Sequence, residues 1–243
     1  MGFNMRPKHS IKVTKLLFLI FLSAPFFSQK IKADDSVVKK VLIVIGYMDE
    51  DNFSEFLEHP LKVKYYPDIA KKVDQNIRNY LKMLTVRNET NVYASKHGLK
   101  NIEITVLNPN RLCPGENSDS AQFRTVVCRE QIKASDNSMD YLKRNIGQFE
   151  QVIYIGHSRK GFGLAIGPFR SEWTFDLNKN FHNSAEVGKL KKIVLASCES
   201  NSLFAPTTRL IAVVGTSHKL YIFPDLVSMT LAEIEKLFLN NEK

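Results

Sequence analysis

Two short segments carry the residues best suited to chemistry. Gly156-His157-Ser158 and Ser197-Cys198-Glu199 each follow a run of apolar residues. Thiolate is the reactive form of cysteine, and a neighbouring imidazole can take the thiol proton and stabilise the anion. We therefore predict that His157 is a general base and Cys198 a nucleophile. The backbone N–H groups of Ser158 and Cys198, at sharp strand exits, are candidates to stabilise an oxyanion.

Ser158 offers a second interpretation of the first segment. A nucleophilic serine of an α/β hydrolase occupies the pattern Gly-x-Ser-x-Gly, because its strained turn leaves no room for side chains on either side. Gly156 fits this pattern, but Lys160 stands at the second glycine position and Gly161 follows one residue late. A serine hydrolase that uses Ser158 is therefore kept as an alternative.

The elements that must position these groups can be read from hydrophobic runs. Five short runs that are almost wholly apolar predict parallel strands covered on both faces: Val41–Ile45, Ile102–Leu107, Val152–Ile155, Ile193–Ala196 and Leu210–Val214. Apolar residues at helical spacing predict helices between and after them: a helix behind Pro67 that reaches Leu84, a short one around Met139–Ile146, and a closing one over Leu226–Leu239. This alternation predicts one α/β domain over 34–243, with a mostly parallel sheet flanked by helices.

In such a sheet the functional groups collect beyond the carboxyl ends of the strands. His157 follows the third predicted strand and Cys198 follows the fourth. If these two strands are neighbours, their exits bring the imidazole and the thiol to the same edge.

The two segments also carry a family resemblance. Val194–Ser200 resembles the nucleophile strand of the caspase-like cysteine peptidases, nearest to the CHAT group, and Val152–His157 resembles their histidine strand. The resemblance implies a caspase–haemoglobinase-like fold and an exported cysteine endopeptidase. Such an enzyme hydrolyses peptide bonds through a thioester acyl-enzyme and needs no cofactor. Ser158 stands where the family usually has glycine, and a catalytically inactive binding protein of the same fold is the second alternative.

The substrate side rests on charged residues at the strand exits. Asp49 and Glu50 follow the first predicted strand, and Glu199 follows Cys198. These acids would suit Lys or Arg of a peptide or protein substrate by charge complementarity. Arg159 and Lys160, beside the histidine, would instead favour an acidic group. The sequence does not decide between the two specificities, although it slightly favours a basic substrate residue.

The charge of the chain is concentrated at its beginning. The 34 basic and 25 acidic side chains give a net charge of +9, but six of the basic residues and none of the acids lie in 1–33. There a basic stretch precedes the apolar run Leu16–Leu22, which is shorter than the ~20 residues that span a bilayer. We therefore predict a signal peptide over 1–33, cleaved near Ala33, and a periplasmic or secreted protein with no stable membrane anchor. The remaining charge is nearly balanced, so nucleic acid is not expected as a partner.

The three cysteines fit an exported chain. Cys113 and Cys128 lie 15 residues apart in a polar stretch and are predicted to form a disulfide, which leaves Cys198 as a thiol. The chain has no C-x-x-C or H-E-x-x-H spacing, so no metal site is expected.

Overall fold

The computed structural model describes most of the chain after its first 38 residues. The described residues are 39–48, 63–89, 92–95, 101–116, 122–124, 127–159, 163–168, 171–181, 187–198, 200, 211–217 and 222–239. They all fall within one compact unit, Ala33–Lys243. The predicted signal peptide lies outside them. No helix among these residues has the length and apolar character that a membrane span requires.

Strands and helices alternate along the chain. The strands are β1 (Lys39–Ile45), β2 (Val63–Tyr65), β3 (Thr85–Glu89), β4 (Val92–Ser95), β5 (Asn101–Leu107), β6 (Gln122–Arg124), β7 (Gln151–Ile155), β8 (Ser158–Arg159), β9 (Gly163–Ala165), β10 (Thr174–Phe175), β11 (Lys192–Ala196) and β12 (Ala212–Val214). The α-helices are α1 (Pro67–Leu84), α2 (Arg129–Asn145), α3 (Leu177–Asn180) and α4 (Val227–Leu239). Short 3₁₀ segments cover Ile146–Gln148 and Ser171–Trp173, and a π-helical turn, Ile222–Leu226, precedes α4.

The main sheet has seven strands in the order β12-β11-β7-β1-β5-β4-β3. The first five run parallel to one another, whereas β4 is antiparallel to both β5 and β3. The five parallel strands are the five that the apolar runs predict. The predicted α/β fold, a mostly parallel sheet flanked by helices, is confirmed.

The two faces of the sheet are covered by different helices. Along β1, Val41, Ile43 and Ile45 point to one face, whereas Leu42 and Val44 point to the other, as the two-residue period of a strand requires. The first face packs against α1 and α4, through Val73, Ile77, Leu81, Ile234, Leu237 and Phe238. The second packs against α2 and the segment around β10, through Met139, Leu142, Trp173 and Phe175. Coverage on both faces explains why the central strands are apolar throughout.

The helix α2 is longer than its apolar residues predict. It begins at Arg129, ten residues before Met139, and Cys128 is its N-cap. Its first turns bury two polar side chains, Gln131 and Ser135, beside the small apolar side chain of Ala134. A hydrophobic period cannot reveal a buried face that is polar.

Two small sheets were not predicted. Strands β10, β9 and β8 form a three-stranded antiparallel sheet, and β2 pairs with β6. Each strand has only two or three residues, too few for an alternating pattern to show. Gly163 has a φ of 119°, and a Cβ atom there would lie 2.4 Å from the carbonyl oxygen of Phe175. Only glycine allows β9 to approach the end of β10 so closely.

Candidate functional site

His157 and Cys198 follow neighbouring strands in equivalent positions. Strand β7 pairs with β11 in parallel, with Ile155 opposite Ala196. Each of the two residues lies two positions beyond this pair, and the Gly156 N–H continues the pairing by donating to the Ala196 oxygen at 3.1 Å. The two strands are thus neighbours, which is the condition under which their exits meet at one edge. Both residues are half-buried at the carboxyl edge of the sheet.

Ser158 joins the two strand exits. Its hydroxyl donates a hydrogen bond of 2.5 Å to the carbonyl oxygen of Cys198, and the residue is only 5% exposed. A hydroxyl has one proton to donate. Because that proton goes to a carbonyl, the Ser158 hydroxyl does not donate to a histidine, as a serine nucleophile must.

Tyr154 holds the backbone at His157. The Tyr154 hydroxyl lies 2.7 Å from the carbonyl oxygen of His157 and accepts the Ala165 N–H at 3.1 Å. A Cβ atom on Gly46 would lie 2.3 Å from this hydroxyl, and one on Gly156 would lie 2.8 Å from it. Both glycines are therefore required by the buried tyrosine. Sequence reasoning missed Tyr154, since a tyrosine inside an apolar strand reads as ordinary core.

The segment around Cys198 is also fixed on its far side. The Ser200 hydroxyl lies within hydrogen-bond distance of the carbonyl oxygens of Leu195 and Ser197, at 3.0 and 2.9 Å, and accepts the Thr216 N–H at 2.9 Å. The Thr216 hydroxyl also donates to the Ser197 oxygen. These contacts connect the exit of β11 to the exit of β12, so the backbone that carries Cys198 is held from both sides.

The exit of β1 is occupied by the chain's own groups. The backbone N–H groups of Gly46 and Tyr47 donate to the oxygens of Ile155 and Ala165, at 2.8 and 2.9 Å, and that of Met48 donates to the side chain of Asn110 at 3.1 Å. In chain order the parallel strands are arranged 2-1-3-4-5, and in such sheets ligands bind where this order reverses, between β1 and β7. Here all three N–H groups of that segment bind protein acceptors.

The Cys113–Cys128 disulfide is present, as predicted, and its Cα atoms are 5.6 Å apart. It joins the loop after β5 to the N-cap of α2. Cys198 is not in a disulfide. Within the described ranges, no group of three or more His, Cys, Asp or Glu side chains could hold a metal ion.

The predicted substrate-pocket residues Asp49, Glu50 and Glu199 lie outside the described residues. The preference for basic or acidic substrates therefore stays a prediction.

Two cavities lie away from the strand exits that carry His157 and Cys198. The larger, about 530 Å³, lies between Arg78 of α1, Leu107 of β5 and Tyr141 of α2, and we name it the β5 pocket. The smaller, about 410 Å³, lies near the amino end of β7 and includes Lys143. Neither is lined by His157 or Cys198.

Comparison with known proteins gives similarity to solved structures alone. No protein-family model and no curated protein sequence matches this chain. It is similar to an FMN-dependent NADH-azoreductase from Bacillus anthracis str. Ames Ancestor, solved with FMN, at 11% identity and a TM-score of 0.34, covering 82% of this chain and 99% of that one. Azoreductase AzrA gives 13% identity and a TM-score of 0.32, covering 82% and 98%. An azoreductase from Bacillus anthracis str. Sterne gives 12% and 0.31, covering 83% and 99%.

These findings contradict the predicted function. The solved structures are oxidoreductases by name and none of the three is a peptidase, so the predictions of a cysteine endopeptidase and of a caspase-like hydrolase are wrong. The serine-hydrolase alternative is wrong as well, and the bond from Ser158 to the Cys198 carbonyl gives the physical reason.

The similarity to azoreductases does not indicate that this chain binds a flavin. Identities of 11–13% with TM-scores of 0.31–0.34 transfer neither cofactor nor substrate. In addition, the N–H groups of Gly46, Tyr47 and Met48 all bind protein acceptors, so none of them is left to hold a flavin phosphate. The described residues at the reversal point therefore do not fit FMN.

Proposed function

We propose that this chain acts through a nucleophilic thiol, Cys198, with His157 as the base that takes its proton. The observation that carries the proposal is the register of β7 and β11, which places the two residues side by side beyond the pair Ile155–Ala196. The bond from Ser158 to the Cys198 carbonyl supports it, because it joins the exits that carry the two groups. Because the backbone of such a site is already ordered, little conformational entropy is lost when the site reacts.

The chemistry is transfer of an electrophilic carbon group to sulfur. The imidazole takes the thiol proton, the thiolate forms an S–C bond, and the bond from carbon to the leaving group breaks, with both electrons departing on that group. The proton on the imidazole then returns to solvent or to the leaving group. Hydrolysis of peptide bonds is not part of this proposal.

Export belongs to the same proposal. The basic and apolar pattern of residues 1–33 favours secretion, and disulfides such as Cys113–Cys128 form and persist in oxidising compartments. In such a compartment a half-buried thiol that stays outside the disulfide is an available nucleophile.

Alkylation by iodoacetamide tests the roles of both residues. In the oxidised chain the disulfide removes two of the three cysteines, so mass spectrometry follows Cys198 alone. We expect H157Q to lower the alkylation rate constant about tenfold or more, since general-base assistance is lost. The surface variant K143Q, which changes a residue near the other end of the sheet, should react as the wild type does. Circular dichroism checks that both variants fold.

Two results would overturn the assignment. One is an H157Q rate equal to that of K143Q. The other is a label that appears on residues other than Cys198 while Cys198 stays unmodified.

A further inference from the structure

We propose that the β5 pocket binds a small organic carboxylate. This proposal goes beyond the thiol chemistry and does not depend on it. The pocket, about 530 Å³, has the size of a small-molecule site and lies at the same carboxyl edge of the sheet as His157 and Cys198.

The pocket exists because β5 is longer than its outer neighbour. Among the described residues, β4 pairs with Asn101–Glu103, whereas β5 continues to Leu107. Beyond the end of this pairing, α1 on one face of the sheet and α2 on the other both line the pocket. Val106 and Leu107 form part of its lining, so the pocket is a groove between two helices along the carboxyl end of β5.

The charges of the lining favour an anion. Arg78 and Arg111 are cationic and Asp74 is the acid among the ionisable lining groups, which leaves a net charge of +1. Asp74 accepts a hydrogen bond of 2.8 Å from Nε of Arg78, one turn along α1, and this bond engages a single edge of the guanidinium. The planar fork of arginine matches the two oxygens of a carboxylate.

The second arginine is held in place by the loop after β5. Arg111 donates through Nη1 to the carbonyl oxygens of Asn108 and Asn110, at 2.9 and 2.7 Å. Its backbone N–H donates at 2.8 Å to Gln131, whose amide in turn donates at 2.9 Å to the Pro109 oxygen. Gln131 is fully buried. The backbone that carries the guanidinium is thus fixed before any ligand arrives, which lowers the entropic cost of binding.

Part of the remaining lining suits an organic body over a bare inorganic ion. Val106, Leu107 and Ala134 are apolar and the Tyr141 ring lines the same space, whereas Asn108, Asn137 and Ser138 supply polar groups. An apolar group next to a carboxylate would contact these side chains while the arginines bind its oxygens.

Benzoate and its neutral amide form a matched pair of probes. Titrated into the full chain and followed by ¹H–¹⁵N NMR, benzoate is expected to saturate and to shift resonances of α1 and α2 around the pocket. Benzamide has the same shape without the charge, and its affinity should be lower than that of benzoate by about tenfold or more. Inorganic phosphate should also bind more weakly, because it lacks the apolar body.

Variants locate the binding. R111Q and R78Q should each weaken benzoate about tenfold or more, and K143Q, an exposed cation at the far end of α2, should not change it. Because R111Q also loses the Nη1 contacts of its loop, R78Q on the surface of α1 serves as the second variant. The proposal fails if benzoate does not saturate at millimolar concentration, if benzamide or phosphate binds as tightly, or if both arginine variants bind as the wild type does.

Discussion

The hydroxyl of Ser158 has a positioning role in this molecule. It is buried, and it donates to the carbonyl oxygen of Cys198 across the exits of β7 and β11. From the sequence, the Ser158 backbone N–H was predicted to stabilise an oxyanion, and its hydroxyl was kept as an alternative nucleophile. In the structure the hydroxyl instead donates its proton to the Cys198 carbonyl. The two residues are 40 positions apart in the chain, so no local sequence pattern could predict this contact.

Removing this hydroxyl should cost stability. S158A leaves the Cys198 carbonyl without the donor that the buried Ser158 supplies, so we expect the free energy of unfolding to fall by about 1–3 kcal/mol. Urea denaturation at neutral pH measures it. S228A, an exposed serine on α4, is the matched control and should change stability by less than about 0.5 kcal/mol. Equal stabilities for S158A and S228A would contradict the positioning role.

Residue types alone predicted part of the site. Cys113 and Cys128 were identified as a disulfide by their spacing and polar context, and their bond is present. Tyr154 was not identified, because its role depends on two glycines beside its hydroxyl, Gly46 at the exit of β1 and Gly156 at the exit of its own strand. Contacts of this kind depend on the arrangement of strands, which a single segment does not encode.

At the scale of elements, α4 is joined to β11 by a buried carboxylate. Glu233 of α4 accepts hydrogen bonds from Lys192 of β11 at 2.7 Å and from Lys236 at 2.6 Å, and its side chain is 6% exposed. Burial by itself raises the pKa of Glu233, but the hydrogen bonds and charges of the two lysines outweigh it and lower the pKa below its ordinary value of 4.5. The charged form is therefore stabilised in the folded chain.

This carboxylate predicts a pH dependence of stability. A folded-state pKa below the unfolded value of 4.5 gives stability that is present above that value and is lost as the pH falls through the lower, folded-state pKa. In urea unfolding from about pH 6 to pH 3, E233Q should be less stable at the upper end and should lose less stability on acidification than the wild type.

The control for this prediction is E130Q, an exposed carboxylate in the first turn of α2. It should keep the acid dependence of the wild type. If E233Q loses as much stability on acidification as E130Q does, the Glu233 contact is not the source of the dependence.

Elements were predicted where their buried faces are apolar. The helix α1 follows its apolar period from Ile69 to Leu84 and begins at a proline, so its bounds were close to those predicted. The start of α2 was missed because two of its buried residues there, Gln131 and Ser135, are polar. Gln131 accepts a hydrogen bond from the backbone N–H of Arg111, a residue that lines the β5 pocket.

At the scale of the whole molecule, the sheet order decides which exits meet. The sequence predicted five parallel strands but not their order, since neighbours in a sheet are chosen by long-range packing. The order β12-β11-β7-β1-β5 brings His157 beside Cys198 and puts the β5 pocket two strands from β7. It also places the exits of β1 and β7 together, where the Gly46 N–H donates to the Ile155 oxygen of β7.

The β1 exit bears on the cofactor of this chain. The likeness to azoreductases overturned a functional prediction that rested on two short segments, while the β1 exit gives no N–H group to a flavin phosphate among the described residues. The two segments identify His157 and Cys198 by residue type alone, whereas the reaction depends on the groups that surround them.

The reactivity of Cys198 in the folded chain, compared with the same residue in the chain unfolded by guanidinium, tests the central claim most directly. With the disulfide intact, iodoacetamide reports on this thiol in both states. If the fold places His157 as its base, folded Cys198 should be alkylated faster at neutral pH, by about tenfold, although it is half-buried. A folded rate equal to or below the unfolded rate would show that the thiol is shielded core and would contradict the account.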